Sequence, residues 1–241
     1  MSRLNDPEFV AREYADESRL AARARVWTEF LDGPSSYDAT AAAVAEARPR
    51  RVLEVGAGWG ELAARIRDET GAHVVATDLS LRMATLAASR DLPVVLADAA
   101  WLPFPDRTFD VVVANAMLYH LPDLDAGVRE LARLVADDGR LIATTFGHEH
   151  LREVWDLVRG PGVDLAFHRG NGAEILGRAF ERVDARTGSG RITFPNMEEV
   201  RTYVAATLTR AHLADRVRAG DDPFVASSDF AVFVATGPRR R

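Results

Sequence analysis

The chain has 241 residues and a mass of 26.4 kDa, enough for one large domain with an appendage. Hydrophobic residues make up 47% and charged residues 27%, which is typical of a globular chain with a sizeable core and excludes intrinsic disorder. The formal net charge of −6 makes nucleic acid a disfavoured partner, because nucleic-acid affinity depends on clustered basic charge.

Cysteine and lysine are absent, so all 30 basic side chains are arginine. Their absence excludes disulfides, thiolate nucleophiles, cysteine-ligated metals and lysine Schiff bases, and we expect no metal. The first residues, MSRLNDPEF, have no basic segment followed by an apolar run, and no apolar stretch approaches the roughly 20 residues of a membrane helix. We expect a cytoplasmic monomer or homodimer without a membrane partner.

The first predicted elements are two helices, over residues 8–31 and 39–47, separated by a polar break. From residue 51, short apolar runs alternate with amphipathic stretches. Strands are predicted over residues 51–55, 73–77, 94–97, 109–114 and 140–145, with helices over 61–67, 81–89 and 124–135. Strands that are apolar on both faces and separated by helices indicate a parallel α/β sheet.

The order is less regular after residue 147. Helices are predicted near residues 150–158, 173–180 and 197–213, and strands over 182–186 and 230–235.

A glycine-rich turn follows the first strand of the α/β region. Its glycines, Gly56, Gly58 and Gly60, are spaced more closely than in the dinucleotide fingerprint, whose third glycine position is occupied here by Glu61. A carboxylate at a helix N-terminus repels a pyrophosphate, so the turn suits an uncharged or cationic ligand.

Two aspartates end the next two strands. Asp78 is placed to accept hydrogen bonds from ribose hydroxyls, and the alternative is an N-cap role for which Ser80 competes. Asp98 is placed to accept from an adenine amino group while Ala99 N–H donates to the ring, and the alternative is a plain turn aspartate.

Four ordered segments, VLEVGAGWGEL, VVATDLS, LADAAWLPFPDRTFDVVVANAMLYHL and LARLVADDGRLIATTF, resemble the class I S-adenosylmethionine-dependent methyltransferases, in particular the small-molecule branch of the methyltransferase type 11 group. The resemblance implies a Rossmann-like, seven-stranded, mostly parallel sheet with its last strand antiparallel and helices on both faces. It also implies a helical lid over residues 1–48 and a methyltransferase domain over 49–241, with acceptor-pocket elements in 147–215. At Asp137-Asp138-Gly139 the sequence departs from the usual Pro-Gly-Gly, which should change only the local loop.

The resemblance further implies the residues that hold S-adenosylmethionine. Glu54 and the glycine-rich turn, including Ala57, flank its methionine part, and Asn115 lies near the same part. Leu79 packs on adenine. In the lid, Tyr14 and Arg19 reach the methionine end, where Arg19 pairs with the carboxylate; the alternative for both is a surface position.

Several side chains follow the fourth and fifth strands and face the acceptor. His120 is the candidate general base, with a packing role as the alternative. Weaker substrate-site candidates are Trp27, Tyr119, Phe146, His148, His168 and Arg169. A metal pair at His148 and His150 is disfavoured, since a spacing of two on a helix points the rings apart.

The sequence thus predicts methyl transfer from S-adenosylmethionine to an oxygen, nitrogen or carbon atom of a small molecule, of the specialised-metabolite class. Three alternatives stay open: a nicotinamide-dependent oxidoreductase, a methyltransferase acting on tRNA or other RNA, and a non-catalytic cofactor-binding protein.

Overall fold

The protein is described here by a computed structural model covering residues 17–161, 164–207 and 209–240. Its centre is one eight-stranded sheet. The strands are β1 (Leu31–Asp32), β2 (Arg51–Val55), β3 (His73–Asp78), β4 (Val94–Leu96), β5 (Phe109–Asn115), β6 (Val135–Phe146), β7 (Phe180–Phe194) and β8 (Phe224–Pro238).

The strand order is β1-β7-β8-β6-β5-β2-β3-β4. Strands β4, β3, β2, β5 and β6 are parallel, and β8 is antiparallel to both β6 and β7. The predicted parallel sheet with its last strand inserted antiparallel is therefore confirmed. The predicted count of seven strands is wrong by one, because Leu31–Asp32 pairs with Arg191 and Ile192 of β7.

Helices cover both faces of the sheet. They are α1 (Glu17–Thr28), α2 (Ser36–Glu46), α3 (Glu61–Thr70), α4 (Leu81–Ala88), α5 (Leu124–Leu134), α6 (Arg152–Leu157), α7 (Gly172–Gly177) and α8 (Met197–Ala205), with 3-10 turns at Leu118–His120 and Ala211–Arg216. Across the described residues, none of these helices is long and apolar enough to cross a membrane.

Alternation along the central strands explains the two main cores. In β2, Leu53 belongs to the core beneath α5 and α7, whereas Val52 belongs to the core beneath α2 and α3. Successive side chains of a strand point to opposite faces, so a strand apolar at every position must be covered twice.

A third apolar core stands beyond the carboxyl end of β6. Strand β6 pairs with β8 only as far as Phe146↔Phe230, so Phe224–Asp229 of β8 pairs with β7 alone. This projecting hairpin packs with α1, α6, α8 and the turn at Ala211–Arg216. We call this unit the cap.

Several boundaries predicted after residue 147 are wrong. The strand predicted over 182–186 continues to Phe194 through Gly188 and Gly190, the strand predicted over 230–235 spans Phe224–Pro238, and the helix predicted over 197–213 ends at Ala205. Gly188 lies under the ring of Phe230, where a Cβ would meet the ring at 2.3 Å. A glycine that resembles a turn signal is required here by cross-strand packing.

Candidate active site at the carboxyl edge of the sheet

The glycine-rich turn connects β2 to α3 in a left-handed backbone conformation. Gly60, with φ 78°, is the N-cap of α3, and a Cβ there would meet Ala87 at 2.8 Å. Gly58 has φ 56°, and apart from Gly58 itself and its two chain neighbours no atom of the described residues lies within 4 Å of the point where its Cβ would stand. Gly60 has no side chain to cap α3, and the Glu54 carboxyl group accepts from the Ala63 N–H in the first turn of this helix. The turn thus leaves open space beside Gly58.

Asp78 ties the end of β3 to this turn. Its Oδ2 accepts from the Gly58 N–H at 2.9 Å, and its Oδ1 accepts from the Ser80 N–H at 2.8 Å. Burial raises the pKa of Asp78, and these backbone N–H groups oppose the shift. The N-cap of α4 is Ser80, whose hydroxyl accepts from the Met83 N–H. The alternative N-cap role for Asp78 is therefore wrong.

Glu54 is a buried carboxyl group at the end of β2. Its side chain is 2% exposed, and burial raises its pKa to about 8, with a further rise from Asp78 and an opposing effect of the Ala63 N–H. Within the described part of the chain, Oε2 has no hydrogen-bond partner. A nearby cation stabilises the ionised form of a buried carboxyl group, so this unpaired oxygen favours a cationic ligand. The ammonium and sulfonium groups of S-adenosylmethionine fit this requirement.

The end of β5 is tied to α2. Asn115 Oδ1 lies 3.5 Å from the hydroxyl of Thr40, which also lies 2.7 Å from the hydroxyl of Thr144. The next residue, Ala116, has φ 52°, and its N–H donates to Thr144 O. Left-handed backbone at a non-glycine residue costs about 1–3 kcal/mol and is common at functional sites. This geometry fixes the direction of the chain in the turn after Asn115.

Asp98 lies in a turn after β4. Its Oδ1 accepts from the Ala100 N–H at 2.8 Å, so the turn role is present whether or not the carboxylate also reads a base. Ala99 is buried, but Leu79 is 52% exposed and Trp101 is 82% exposed. This edge of the sheet carries an apolar surface open to a planar ligand.

His120 and Tyr119 lie in the 3-10 turn after β5. The centroids of their rings are 4.5 Å apart, and the backbone N–H of His120 donates to Met117 O. Both side chains are half-buried. The turn therefore holds His120 at the predicted edge of the sheet.

Three aromatic rings stack where the cap meets β6. Trp27 of α1 lies 5.9 Å from Phe146 and 5.0 Å from His150, and the rings of Phe146 and His150 are 4.1 Å apart. Burial lowers the pKa of His150 to about 3, and its Nδ1 accepts from the Asp229 N–H. His150 is therefore a neutral packing residue at pH 7.

His148 and His168 form a second ring pair at this edge, with centroids 4.4 Å apart. Arg169 is bound to the buried carboxylate of Asp229. This ion pair accounts for the position of Arg169 without a contact to substrate. No cluster of three or more potential metal ligands occurs in the described ranges.

Of the two cofactor-binding candidates in the predicted lid, Tyr14 lies outside the described residues and Arg19 lies within them. Arg19 lies in α1, whose Ser18 and Ala21 face Trp59 of the glycine-rich turn across a cleft of about 540 Å³. The N-terminal helix thus lies beside the predicted cofactor turn. Sequence reasoning missed Thr40, Trp59 and Trp101; for the two tryptophans the available signal was a large aromatic residue within a predicted loop.

Comparisons with known proteins agree with this architecture. The type 11 methyltransferase domain family matches residues 53–143. A malonyl-[acyl-carrier protein] O-methyltransferase from Geobacter sulfurreducens is 33% identical over 198 residues, covering 73% of this chain and 72% of that protein. A demethylmenaquinone methyltransferase from Corynebacterium urealyticum is 41% identical over 96 residues, covering 40% of this chain and only 41% of that protein's own length.

A solved structure of phospholethanolamine N-methyltransferase 2 from Haemonchus contortus, in complex with phosphomonomethylethanolamine and S-adenosylhomocysteine, shares the fold. It superposes with a TM-score of 0.63 at 17% identity and covers 99% of this chain and 61% of that one. The chain belongs to the class I S-adenosylmethionine-dependent methyltransferases. It is a methyltransferase whose cofactor is S-adenosylmethionine, which decides against a nicotinamide-dependent oxidoreductase.

Proposed function

We propose that this methyltransferase acts on an oxygen, nitrogen or carbon atom of a small molecule, of the specialised-metabolite class, held between the carboxyl edge of the sheet and the cap. The observation that carries the proposal is the aromatic stack of Trp27, Phe146 and His150, which places an apolar wall at the junction of β6 and the cap. Such a wall suits a small apolar body better than a phosphate backbone.

The proposed cofactor residues surround the glycine-rich turn. S-adenosylmethionine supplies a methyl group on a sulfonium, which is already a good leaving group. Asp78 holds the ribose, since each of its oxygens keeps a second lone pair after accepting one backbone N–H. Glu54, whose pKa of about 8 keeps it protonated at neutral pH in the free protein, ionises when the cationic methionine part binds and then lies beside it as a negative charge. Leu79 packs on adenine.

The remaining proposed contacts lie farther along the edge. Asp98 and Ala99 read the adenine edge, and Asn115 borders the methionine part, as does Gly56. From the lid, Arg19 pairs with the methionine carboxylate. Because an in-line displacement needs the nucleophile at near-attack distance, the main task of these residues is positioning.

His120 is the proposed general base, taking a proton from the acceptor. His120→Ala is expected to lower turnover roughly 100-fold if the imidazole removes that proton. Near-normal turnover in this variant assigns His120 to packing instead.

The experiment that tests the function uses purified protein, S-adenosylmethionine with a labelled methyl group, and a small-molecule extract of the host. The expected result is a small molecule that gains one CH₂, with formation of S-adenosylhomocysteine. Label recovered in bulk tRNA supports the RNA alternative. Cofactor binding without product across a broad acceptor screen supports the non-catalytic alternative.

A further inference from the structure

The loop that carries His168 is fastened to the carboxyl end of β6. Thr145 Oγ1 donates to Phe167 O at 2.7 Å, and the Arg169 N–H donates to Phe146 O at 3.0 Å. The residues on both sides of His168 are therefore bonded to the last two residues of the strand. This arrangement fixes the backbone from which the imidazole projects.

Hydrogen bonds within the loop also fix the ring's protonation pattern. The backbone N–H of His168 donates to Asn171 Oδ1 at 2.8 Å, and the backbone N–H of Gly170 donates to the ring nitrogen Nδ1 of His168 at 3.0 Å. A nitrogen that accepts a hydrogen bond carries no proton, so the neutral ring has its proton on Nε2. His168 thus offers Nε2–H as a donor.

His148 lies beside that ring. The two rings are tilted by 51° with their centroids 4.4 Å apart, and His148 is exposed whereas His168 is half-buried. Rings at this separation are close enough for a single ligand group to contact both.

Two of the carboxylates near the pair are bound to arginines. Asp229 of β8 is bound to Arg169, and Glu149, next to His148, is bound to Arg152 at 2.9 Å. Asp164 also acts on His168, and it raises the pKa of the imidazole.

Protonation of His168 is disfavoured beside His148. Burial and the neighbouring His148 lower the pKa of His168, and Asp164 only partly offsets this effect. Two adjacent imidazoles repel when both are protonated, and an anion between them removes the repulsion. A bound carboxylate would therefore stabilise the protonated form of the two histidines.

We propose that His148 and His168 form an anchor for a carboxylate of the methyl acceptor, whose apolar part lies toward Trp27 and Phe146. The acceptor class is then a carboxylic acid with an apolar body. This inference rests on the proposed function, because it names the substrate class of the same site.

The first test is independent of methyl transfer. Imidazole signals of the full chain are followed by NMR during titration with benzoate and, as the neutral control, benzamide. Benzoate is expected to shift the His148 and His168 signals and to raise the pKa of His168, whereas benzamide is not. His148→Gln and His168→Gln assign the two signals, and exposed His73 at the start of β3 reports non-specific effects. Benzoate that moves neither signal, or moves His73 equally, overturns the anchor.

The second test uses the acceptor found in the extract experiment. His168→Leu is expected to raise KM roughly 10- to 100-fold with kcat little changed, as for a lost hydrogen bond to a charged group. His168→Gln, which keeps an N–H donor, is expected to recover part of the affinity. An unchanged KM in His168→Leu, or an acceptor without a carboxylate, overturns the anchor but leaves methyl transfer intact. Absence of any methylated product contradicts the proposed function, while the NMR titration still decides the anchor.

Discussion

The cofactor edge and the cap are built in opposite ways. We call cofactor edge the region of the proposed cofactor site, which lies at the carboxyl ends of β2 and β3 beside the glycine-rich turn. At the cofactor edge the key contact, Gly58 to Asp78, joins residues 20 apart along the chain. In the cap, Arg25 of α1 is bound to Glu199 of α8, 174 residues away. The cofactor edge is therefore specified mainly by neighbouring βα units, whereas the cap forms only when distant segments meet.

The two regions also differ in what they bury. The cofactor edge buries carboxyl groups, Glu54 and Asp78, whose pKa values rise because of that burial. The cap buries aliphatic and aromatic side chains such as Val26, Phe194 and Val200. Stability is thus concentrated in the cap and the two sheet cores, and the cofactor edge keeps polar groups that favour a ligand over self-packing.

The largest expected effect is in the cap. Phe194→Ala is expected to lower the free energy of unfolding by about 3–5 kcal/mol, because the side chain is fully buried and its removal leaves a cavity. Urea denaturation measures the loss, and calorimetry measures the affinity of the folded fraction for S-adenosylmethionine, which we expect to be unchanged.

The control for this change is Val225→Ala in the same hairpin, where the side chain is 49% exposed and little stability should be lost. A cofactor affinity that falls together with stability in Phe194→Ala contradicts the independence of the two regions.

At the cofactor edge, Asp78→Ala is expected to weaken S-adenosylmethionine binding by about 1–3 kcal/mol, because ribose hydroxyls and two backbone N–H groups lose their acceptor. The matched control is Asp110→Ala at the opposite edge of the sheet, where the carboxylate accepts from the N–H groups of Arg50 and Arg51. Calorimetry should show a weakened affinity for the first variant alone. Equal affinities in both variants and the wild type contradict the ribose role.

The same contrast explains what the sequence could predict. Glycine spacing, the Ser80 cap and the apolar strands are local signals, and the central sheet follows from them. Strand β1 has two residues and exists only through its pairing with Arg191 and Ile192. Likewise, Gly188 resembles a turn residue until Phe230 is placed over it. Local patterns could not predict the cap because its elements are defined by partners far away in the chain.

The pH dependence of stability tests Glu54. Its folded pKa of about 8 exceeds its ordinary value of 4.5, so between these values the folded state holds a proton that the unfolded state has released. The resulting stabilisation is complete below about pH 4.5 and is lost as the pH rises through about 8, by about 1.4 kcal/mol per pH unit.

Glu54→Gln removes this slope, and Glu61→Gln, in the same turn but exposed, should keep it. Denaturation curves across this pH range measure the difference, and parallel curves for the wild type and Glu54→Gln contradict the buried proton. Bound S-adenosylmethionine is expected to flatten the wild-type slope, because its cationic groups favour the carboxylate.

The smallest expected effect comes from alanine substitution at two glycines, and it distinguishes backbone strain from loss of a ligand contact. Gly58 and Gly71 have φ values of 56° and 68°, and beyond the two chain neighbours an added Cβ at either would have no atom of the described chain within 4 Å. Alanine at either position is expected to cost about 1 kcal/mol of stability, since left-handed backbone is strained with a side chain. Only Gly58→Ala should also weaken S-adenosylmethionine binding, about fivefold, because its methyl enters the space beside the turn. If Gly71→Ala lowers the affinity equally, the loss comes from strain transmitted through α3. If neither variant does, the cofactor does not contact the turn at Gly58.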